Sequence, residues 1–140
     1  MKRLSVLLLL TALVFSCKKN KDKNCSTDMA SVAGGYKITA YTYKASPSAP
    51  EQDYFSVFTD PCERDDIITL NVNGNYTYSD AGVTCSPPGD ATGTWSISGT
   101  TMNLDGDLST VESFDCKNLV LSNSDVLTTG DKMKVTLTRQ

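Results

Sequence analysis

The 140-residue sequence contains no histidine and only one tryptophan. Without histidine the chain cannot build a Ser-His-Asp or Cys-His catalytic arrangement, and it lacks a common zinc ligand and the commonest general base near neutral pH. No other set of residues fills the geometric roles that an active site requires. We therefore expect a protein that is not an enzyme and that needs no cofactor.

Basic residues are scarce outside the N-terminal segment. The whole chain carries 13 Lys and Arg against 16 Asp and Glu, but from Asn24 onward seven basic residues stand against fifteen acidic ones. A body with this negative charge does not neutralise phosphate groups. We therefore expect no nucleic acid among its partners.

The N-terminus has a basic start, an apolar run over residues 4–16, and then Cys17. A helix of this length, rising 1.5 Å per residue, is too short for a bilayer core of ~30 Å, so the run predicts a signal peptide over residues 1–16. The small Ser16 before Cys17 resembles the lipobox of bacterial lipoproteins. That resemblance implies cleavage before Cys17 and lipidation of its thiol. The alternative is an ordinary secretory signal followed by a coincidental cysteine.

The lysine-rich residues 18–24 cannot bury apolar surface, which predicts a solvated tether. We assign residues 17–33 to the lipidated cysteine with its tether, and residues 34–140 to one folded domain. The lipid anchor makes a membrane the first expected partner. The expected location is the bacterial cell envelope, at the outer membrane, and the basic tether favours the periplasmic side over the cell surface.

Apart from Cys17, the chain has four cysteines, an even number, in what we expect to be an oxidising compartment. Three pairings are open. We favour Cys62 with Cys85, because they flank a predicted hairpin, and Cys25 with Cys116, because that bond ties the N-terminal segment to a later strand. The four cysteines lack the CxxC spacing of a zinc site, so we expect no metal there.

Turn signals punctuate the remaining sequence, and the segments between them alternate apolar and polar residues. Asn73-Gly74 is a typical two-residue hairpin turn. The pattern predicts an all-β domain, an up-and-down antiparallel barrel of about eight strands, because closing such a meander removes exposed sheet edges. The expected strands are residues 36–44, 54–58, 66–72, 75–79, 92–98, 101–105, 118–122 and 132–138, with 108–114 or 125–129 as further candidates.

The first and last predicted strands carry residues that suit barrel closure. Arg139 has the same parity as the apolar residues Met133, Val135 and Leu137, which places it on the inner face. A cation there needs an aromatic face or backbone acceptors, and Tyr36 offers the ring. We therefore expect Tyr36 and Arg139 to close one end.

The chain resembles the lipocalin-like domains of small bacterial lipoproteins, within the calycin group, over about residues 33–139. The motifs that carry the resemblance are Gly34-Gly35-Tyr36, Asp60-Pro61-Cys62-Glu63-Arg64-Asp65-Asp66, Asn73-Gly74-Asn75-Tyr76, Cys85, Gly93-Thr94-Trp95 and Arg139. Tyr36 stands where lipocalins have tryptophan. The resemblance implies a lipocalin-like barrel, which is filled by side chains or holds one small ligand.

Two groups of side chains are candidates for a site. The carboxylates of Asp60, Glu63, Asp65 and Asp66 could bind Ca²⁺, but they lack the DxDxDG pattern. We interpret them as solvated acids paired with Arg64 or backbone N–H groups, and expect no metal.

The other group is aromatic. Six residues could line a ligand cavity or a sugar-stacking surface: Tyr41, Tyr43, Tyr54, Tyr76, Tyr78 and Trp95. If a pocket exists, we expect Tyr76, Tyr78 and Trp95 at its wall. The alternative is that these alternating aromatic residues simply form the core.

We therefore expect a lipid-anchored envelope protein that binds a small apolar or amphiphilic molecule without catalysis. The alternative is a protein-interaction module with a packed interior, such as a protease inhibitor or a component of an envelope complex. In that case the polar connection at residues 45–53 would contact the partner. A void above ~300 Å³ that opens at one end of the barrel would favour ligand binding.

Overall fold

A computed structural model describes residues 25–140, which form one antiparallel sheet closed into a barrel. Apart from one short strand that pairs only with the first, each strand pairs with the next along the chain, and the first pairs with the last. The strands are β1 Gly34–Lys44, β2 Gln52–Asp53, β3 Ile67–Leu70, β4 Asn75–Ser79, β5 Ala91–Ser98, β6 Thr101–Leu104, β7 Asp107–Phe114, β8 Asn118–Ser124 and β9 Lys132–Arg139. The short β2 only flanks β1, so eight strands make the ring, and the predicted up-and-down barrel is confirmed.

Short helices precede and follow β1. Helix α1 spans Met29–Val32, helix α2 spans Phe55–Phe58, and a 3₁₀ turn covers Pro61–Glu63. The prediction of a strand over residues 54–58 is wrong, because Asp53 Oδ1 accepts the Phe55 N–H at 2.8 Å and turns the chain into α2. Of the two further candidates, residues 108–114 lie in β7, whereas residues 125–129 form a turn.

Strand β1 contains one residue more than its partner β9. Ile38 and Ala40 pair with consecutive residues of β9, so Thr39 between them forms a β-bulge. Side chains normally alternate between the two faces of a strand, and the bulge shifts that alternation by one residue. As a result Tyr41 and Tyr43 lie on the inner face of the barrel, opposite inward-facing residues of β9.

The barrel has two unlike ends. The start of β1 and the end of β9 meet at one, which we call the closed end, together with the turns at residues 71–74, 99–100 and 115–117. The four longer or charged connections lie at the other, which we call the open end. The open-end connections are residues 45–66, 80–90, 105–106 and 125–131.

The core fills the half of the barrel next to the closed end. Its buried hydrophobic residues are Val32, Tyr36, Leu70, Trp95, Met102, Val111, Phe114, Leu119, Leu121 and Leu137. Helix α1, whose N-cap Asp28 accepts the Ser31 N–H at 2.8 Å, inserts Val32 into this core. Burying a valine side chain stabilises a fold by ~1.5–3 kcal/mol. Part of the segment assigned to the tether is therefore packed against the barrel.

One disulfide stands at each end. Cys25 is bonded to Cys116 at the closed end, and Cys62 to Cys85 at the open end, which are the two pairings favoured from the sequence. The expected signal peptide, Cys17 and residues 18–24 lie outside the described residues. Within residues 25–140, no helix is long and apolar enough to span a bilayer.

Candidate functional site

At the closed end, Arg139 reaches inward from the last strand onto α1 and β1. Its Nη2 donates to the Ser31 carbonyl at 2.7 Å and to the Tyr36 hydroxyl at 2.8 Å. The guanidinium carbon lies 5.3 Å from the Tyr36 ring centroid and 5.4 Å from that of Phe114. A cation between two aromatic rings and a backbone carbonyl is compensated without a carboxylate. Tyr36 and Arg139 thus meet at the closed end.

The Tyr36 hydroxyl also donates to the Val32 carbonyl at 2.6 Å, so it links α1 to the guanidinium. Burial raises the pKa of Tyr36, although the neighbouring Arg139 opposes that change. The phenol therefore stays protonated and keeps donating. Because every contact here is internal, this end of the barrel is sealed.

The inner face near the open end is different. Its side chains are only partly buried, whereas those of the core, next to the closed end, are almost fully buried. We call these residues the cup: Tyr41, Tyr43, Ile68, Tyr76, Tyr78, Leu104, Met133 and Val135. Each is paired in the ladder with another inward-facing residue, which places all of them on the inner face. Partial exposure of inward-facing side chains means that the barrel interior opens to solvent at this end.

Three tyrosines of the cup donate to carboxylates on open-end connections. Tyr78 donates to Asp66 Oδ2 at 2.7 Å, and Tyr76 to Asp105 Oδ2 at 2.7 Å. Both carboxylates help to raise the pKa of their tyrosine: burial is the first cause for Tyr78, and the hydrogen bond to Asp105 is the first for Tyr76. The phenols are therefore fixed as donors, and their rings stand against the barrel wall.

The third pair joins Tyr43 to Asp131 at 3.0 Å. Asp131 is buried, and it also accepts the backbone N–H groups of Val126, Leu127 and Thr128 at 2.7–2.9 Å. Burial alone would raise the pKa of Asp131, but these donors outweigh it and hold the pKa below its usual value. The ionised carboxylate thereby organises the connection at residues 125–131.

A glycine makes room for one of these pairs. A Cβ on Gly93 would lie 2.1 Å from Asp105 Oδ2 and 2.6 Å from Tyr76 Cε1, far inside van der Waals contact. Asp105 Oδ1 also accepts the Thr94 N–H at 2.7 Å. Because Gly93 has no side chain, the Asp105 carboxylate and the Tyr76 ring can both pack against β5 at this point.

Helix α2 lies beside β1, where β3 no longer pairs with it. The Tyr54 N–H donates to the Tyr41 carbonyl at 2.9 Å, and the Tyr54 ring lies 5.3 Å from that of Tyr43. Phe58 stacks on Tyr54 at 5.9 Å and tilts against Tyr41 at 5.7 Å. The connection at residues 45–66 thus places aromatic rings next to the cup.

The three aromatic residues expected at a pocket wall occupy two levels. Tyr76 and Tyr78 belong to the cup. Trp95 lies deeper, with 3% of its surface exposed, and its Nε1 donates to the Asn71 carbonyl at 2.8 Å. Trp95 therefore belongs to the core that forms the floor of the cup. Tyr41 and Tyr43 join the wall because of the bulge at Thr39, which the sequence does not signal.

The acidic cluster is divided among separate structural bonds. Glu63 accepts the Asp60 N–H at 2.8 Å, Asp65 accepts the Val83 N–H at 2.8 Å, and Asp66 accepts the Tyr78 hydroxyl.

A second grouping, Asp66, Asp80 and Cys85, brings its potential ligand atoms within 4.8 Å of one another. The Cys85 sulfur is bonded to Cys62 and is not a thiolate. The second grouping therefore offers two carboxylates and no thiolate.

Two depressions lie at the rim of the open end. One, of about 420 Å³, is lined by Lys44, Ser46, Pro47, Ser124, Asp125, Gly130, Asp131 and Lys132. The other, of about 480 Å³, is lined by Thr77, Tyr78, Ser79, Asp90, Ala91 and Thr92. Most of these side chains face outward or belong to connections. The two depressions therefore lie at the rim and on the outer wall, and neither is a void inside the barrel.

A family model described as a lipocalin-like domain matches residues 32–135. No curated protein and no solved structure matches the chain. The match begins at Val32, which is buried in the core, and ends at Val135 in the cup, so it includes Tyr36 and most of the barrel and stops before Arg139. Since it covers well over half of the chain, the protein belongs to the lipocalin-like family, whose barrels generally bind ligands without catalysis.

Proposed function

We propose that this barrel binds a small apolar or amphiphilic molecule in its cup, without catalysis, while lipidated Cys17 anchors the protein to the bacterial outer membrane. The observation that carries the proposal is the contrast between the two halves of the interior. Inward-facing side chains near the closed end are almost fully buried, whereas those near the open end remain partly exposed. A concave, mostly apolar surface with a few fixed polar groups is the usual form of a ligand site.

The cup suits an amphiphile because aliphatic side chains stand beside tyrosine hydroxyls that are bonded to carboxylates. Ile68, Leu104 and Val135 offer aliphatic surface next to the core. The tyrosine hydroxyls and their carboxylate partners stand nearer the open-end connections. An apolar tail would lie against the first group, and a polar head would remain near the second.

Photoaffinity labelling tests the binding site directly. The full chain, reconstituted in phosphatidylcholine nanodiscs, is exposed to a long-chain alcohol that carries a diazirine in its alkyl chain, and the adducts are mapped by mass spectrometry. We expect adducts on cup residues such as Met133 and Val135. Adducts confined to outward-facing residues would contradict the proposal.

A matched pair of variants sharpens that test. Val135→Trp fills the cup, because residue 135 faces inward beside the core. Thr136→Trp adds the same side chain to the adjacent, outward-facing position. We expect labelling of the cup to fall at least fivefold in Val135→Trp and to stay unchanged in Thr136→Trp. Equal labelling in both variants would place the probe elsewhere.

The anchor is tested separately. Cells expressing the chain are fed an alkyne-tagged palmitate, and the purified protein is examined for the tag and for its membrane fraction. We expect the tag in the parent chain and its loss in Cys17→Ser. A parent chain without the tag would leave residues 1–16 as an ordinary secretory signal and would remove the anchor from the proposal.

A further inference from the structure

Apolar side chains are concentrated around the open end, outside the cup. In the described part of the chain seven large hydrophobic residues are exposed, and all but Val72 lie on or beside the open-end connections. We call these six residues the rim: Val57, Phe58, Val83, Leu108, Val126 and Leu127. Val57, Val83, Leu108 and Leu127 are each 59–68% exposed. A ligand inside the barrel cannot cover side chains that point into solvent on separate connections.

Internal bonds hold one side of the rim in place. Val83 donates its N–H to Asp65 at 2.8 Å, and the Cys62–Cys85 disulfide joins the two connections that carry Val57 and Val83. These apolar residues therefore stand on segments that are tied together, and do not project from independent loops.

The other side is tied through Asp131 and β8. Asp131 accepts the Leu127 N–H at 2.9 Å and the Tyr43 hydroxyl at 3.0 Å. Asn123 donates from Nδ2 to the Leu108 carbonyl at 2.8 Å. The rim is thus a preformed surface, which lowers the entropy cost of binding.

Charged residues, like the exposed apolar ones, are distributed unevenly between the two ends of the barrel. The four open-end connections contain eleven Asp and Glu residues and one basic residue, Arg64. The rest of residues 25–140 contains four acidic and six basic residues. Two of those six basic residues, Lys44 and Lys132, stand at strand ends beside the open-end connections, and Lys134 pairs with Glu51 at 2.8 Å, so they offset part of this charge. The open end remains strongly negative.

We infer that the rim is a docking surface for a basic protein partner that presents apolar side chains. Six of the seven exposed large hydrophobic residues in the described part of the chain are concentrated at this one end, and such a concentration of apolar surface is typical of interaction sites. The negative charge between the apolar residues argues against an anionic lipid surface and for a partner rich in Lys and Arg, because complementary charge speeds encounter and repels partners of the wrong sign. The inference is independent of whether the cup holds a ligand.

Two synthetic peptides test the sign of the charge on the partner. One is an 18-residue amphipathic helix of Leu and Lys, and the other has Glu in place of every Lys. Binding to the full chain in phosphatidylcholine nanodiscs is measured by fluorescence anisotropy, with empty nanodiscs as the blank. We expect the Lys peptide to bind at least tenfold more tightly than the Glu peptide, and its affinity to fall at least threefold between 50 and 200 mM salt, because salt screens charges on the surface. Equal binding of the two peptides would overturn the inference.

Variants test the place of binding. The double variant Val57→Ser/Leu127→Ser removes two rim side chains that are exposed and outside the core, and Val72→Ser makes the same type of change at the closed end. We expect the double variant to bind the Lys peptide at least tenfold more weakly and Val72→Ser to bind it as the parent does. The circular dichroism spectrum checks that each variant is folded. Unchanged binding in the double variant would overturn the inference.

A lipid surface is the competing occupant. Protein-free vesicles of phosphatidylcholine, with or without phosphatidylglycerol, are mixed with proteoliposomes that carry the full chain, and vesicle clustering is followed by light scattering. We expect no clustering. Clustering that disappears in Val57→Ser/Leu127→Ser would show that the rim binds lipid and would overturn the choice of a protein partner.

Discussion

Arg139 donates from Nη2 to the Tyr36 hydroxyl at 2.8 Å, and its guanidinium carbon also lies 5.3 Å from the centre of the Tyr36 ring. The two residues are neighbours in the β1–β9 ladder, so this contact sits where the ring of strands closes. One arginine therefore joins the first strand, the last strand and α1.

Loss of this arginine is expected to destabilise the fold. Hydrogen bonds from a charged donor contribute about 1.5–3 kcal/mol each, so we expect Arg139→Met to lower the free energy of unfolding by roughly 2–4 kcal/mol. Lys117→Met makes the same charge change at an exposed residue and should cost less than about 0.5 kcal/mol. Urea denaturation of both variants gives the comparison. Equal costs would show that the closed end does not depend on Arg139.

The two disulfides should differ in their contribution to stability. Cys62–Cys85 spans 23 residues of sequence and Cys25–Cys116 spans 91. In the loop-entropy model their removal costs about 3.4 and about 4.6 kcal/mol respectively. We therefore expect Cys25→Ser/Cys116→Ser to have the lower urea midpoint of the two double variants. A lower midpoint for Cys62→Ser/Cys85→Ser would show that native-state contacts, and not loop length, set the difference.

Gly93 is expected to tolerate no side chain. In Gly93→Ala the new methyl group meets Asp105 and Tyr76, so we expect a loss of about 1–3 kcal/mol in unfolding free energy from overpacking. Gly35→Ala is the control, since its Cβ would meet Ile67 at an ordinary 3.6 Å. Thermal or urea unfolding measures both. A neutral Gly93→Ala would mean that the Tyr76–Asp105 pair is not held tightly.

Deleting the bulged residue Thr39 should be tolerated. Without it, β1 pairs regularly with β9, and Tyr41 and Tyr43 still face inward, because strict alternation then runs from Ile38 to Tyr41. Deleting Thr136 instead reverses the faces of every later residue in β9 relative to the earlier ones. Cooperative urea unfolding is expected for the first deletion and not for the second. Misfolding of the Thr39 deletion would show that the barrel needs the bend at the bulge.

The Asp131 carboxylate makes the stability of the fold depend on pH, and the direction of the change follows from its pKa. Its pKa lies below the usual value of 3.8 in the folded chain, so the unfolded chain binds its proton more tightly. The stability that Asp131 contributes is therefore fully present above the unfolded pKa and is lost as pH falls through the folded pKa. We expect the parent to exceed Asp131→Asn in stability at pH 7, and the difference to narrow below about pH 4. A difference that is constant from pH 7 to pH 3 would contradict this role.

Strict alternation made much of the barrel predictable. Strand β9 places Val135 and Leu137 inward with an even spacing. The Asn73-Gly74 turn does join β3 to β4, but the predicted two-residue hairpin is wrong. Leu70 pairs with Tyr76 and the Asn71 N–H donates to the Asn75 carbonyl, so residues 72–74 form the loop and Val72 is exposed. Residues 54–58 were ambiguous, since a short run of aromatic residues suits a strand or a helical turn. The outcome depended on Asp53, whose side chain initiates α2.

The cup was less predictable because its partners are distant in sequence. The hydrogen bonds of Tyr78 with Asp66, Tyr76 with Asp105 and Tyr43 with Asp131 join residues 12, 29 and 88 positions apart. Nothing local selects one carboxylate among fifteen. The tyrosines could be identified as inward-facing candidates, but their partners follow from the closure of the ring.

The bond between Cys25 and Cys116 also has a mechanical consequence. Because Cys116 lies in the turn between β7 and β8, a pull on the chain before Cys25 reaches that turn through a covalent bond. The force bypasses α1 and β1, whose hydrogen bonds would otherwise be peeled apart one after another from the N-terminus. Tension applied before Cys25 would therefore load the barrel at this turn before it could unpair β1 from its neighbours.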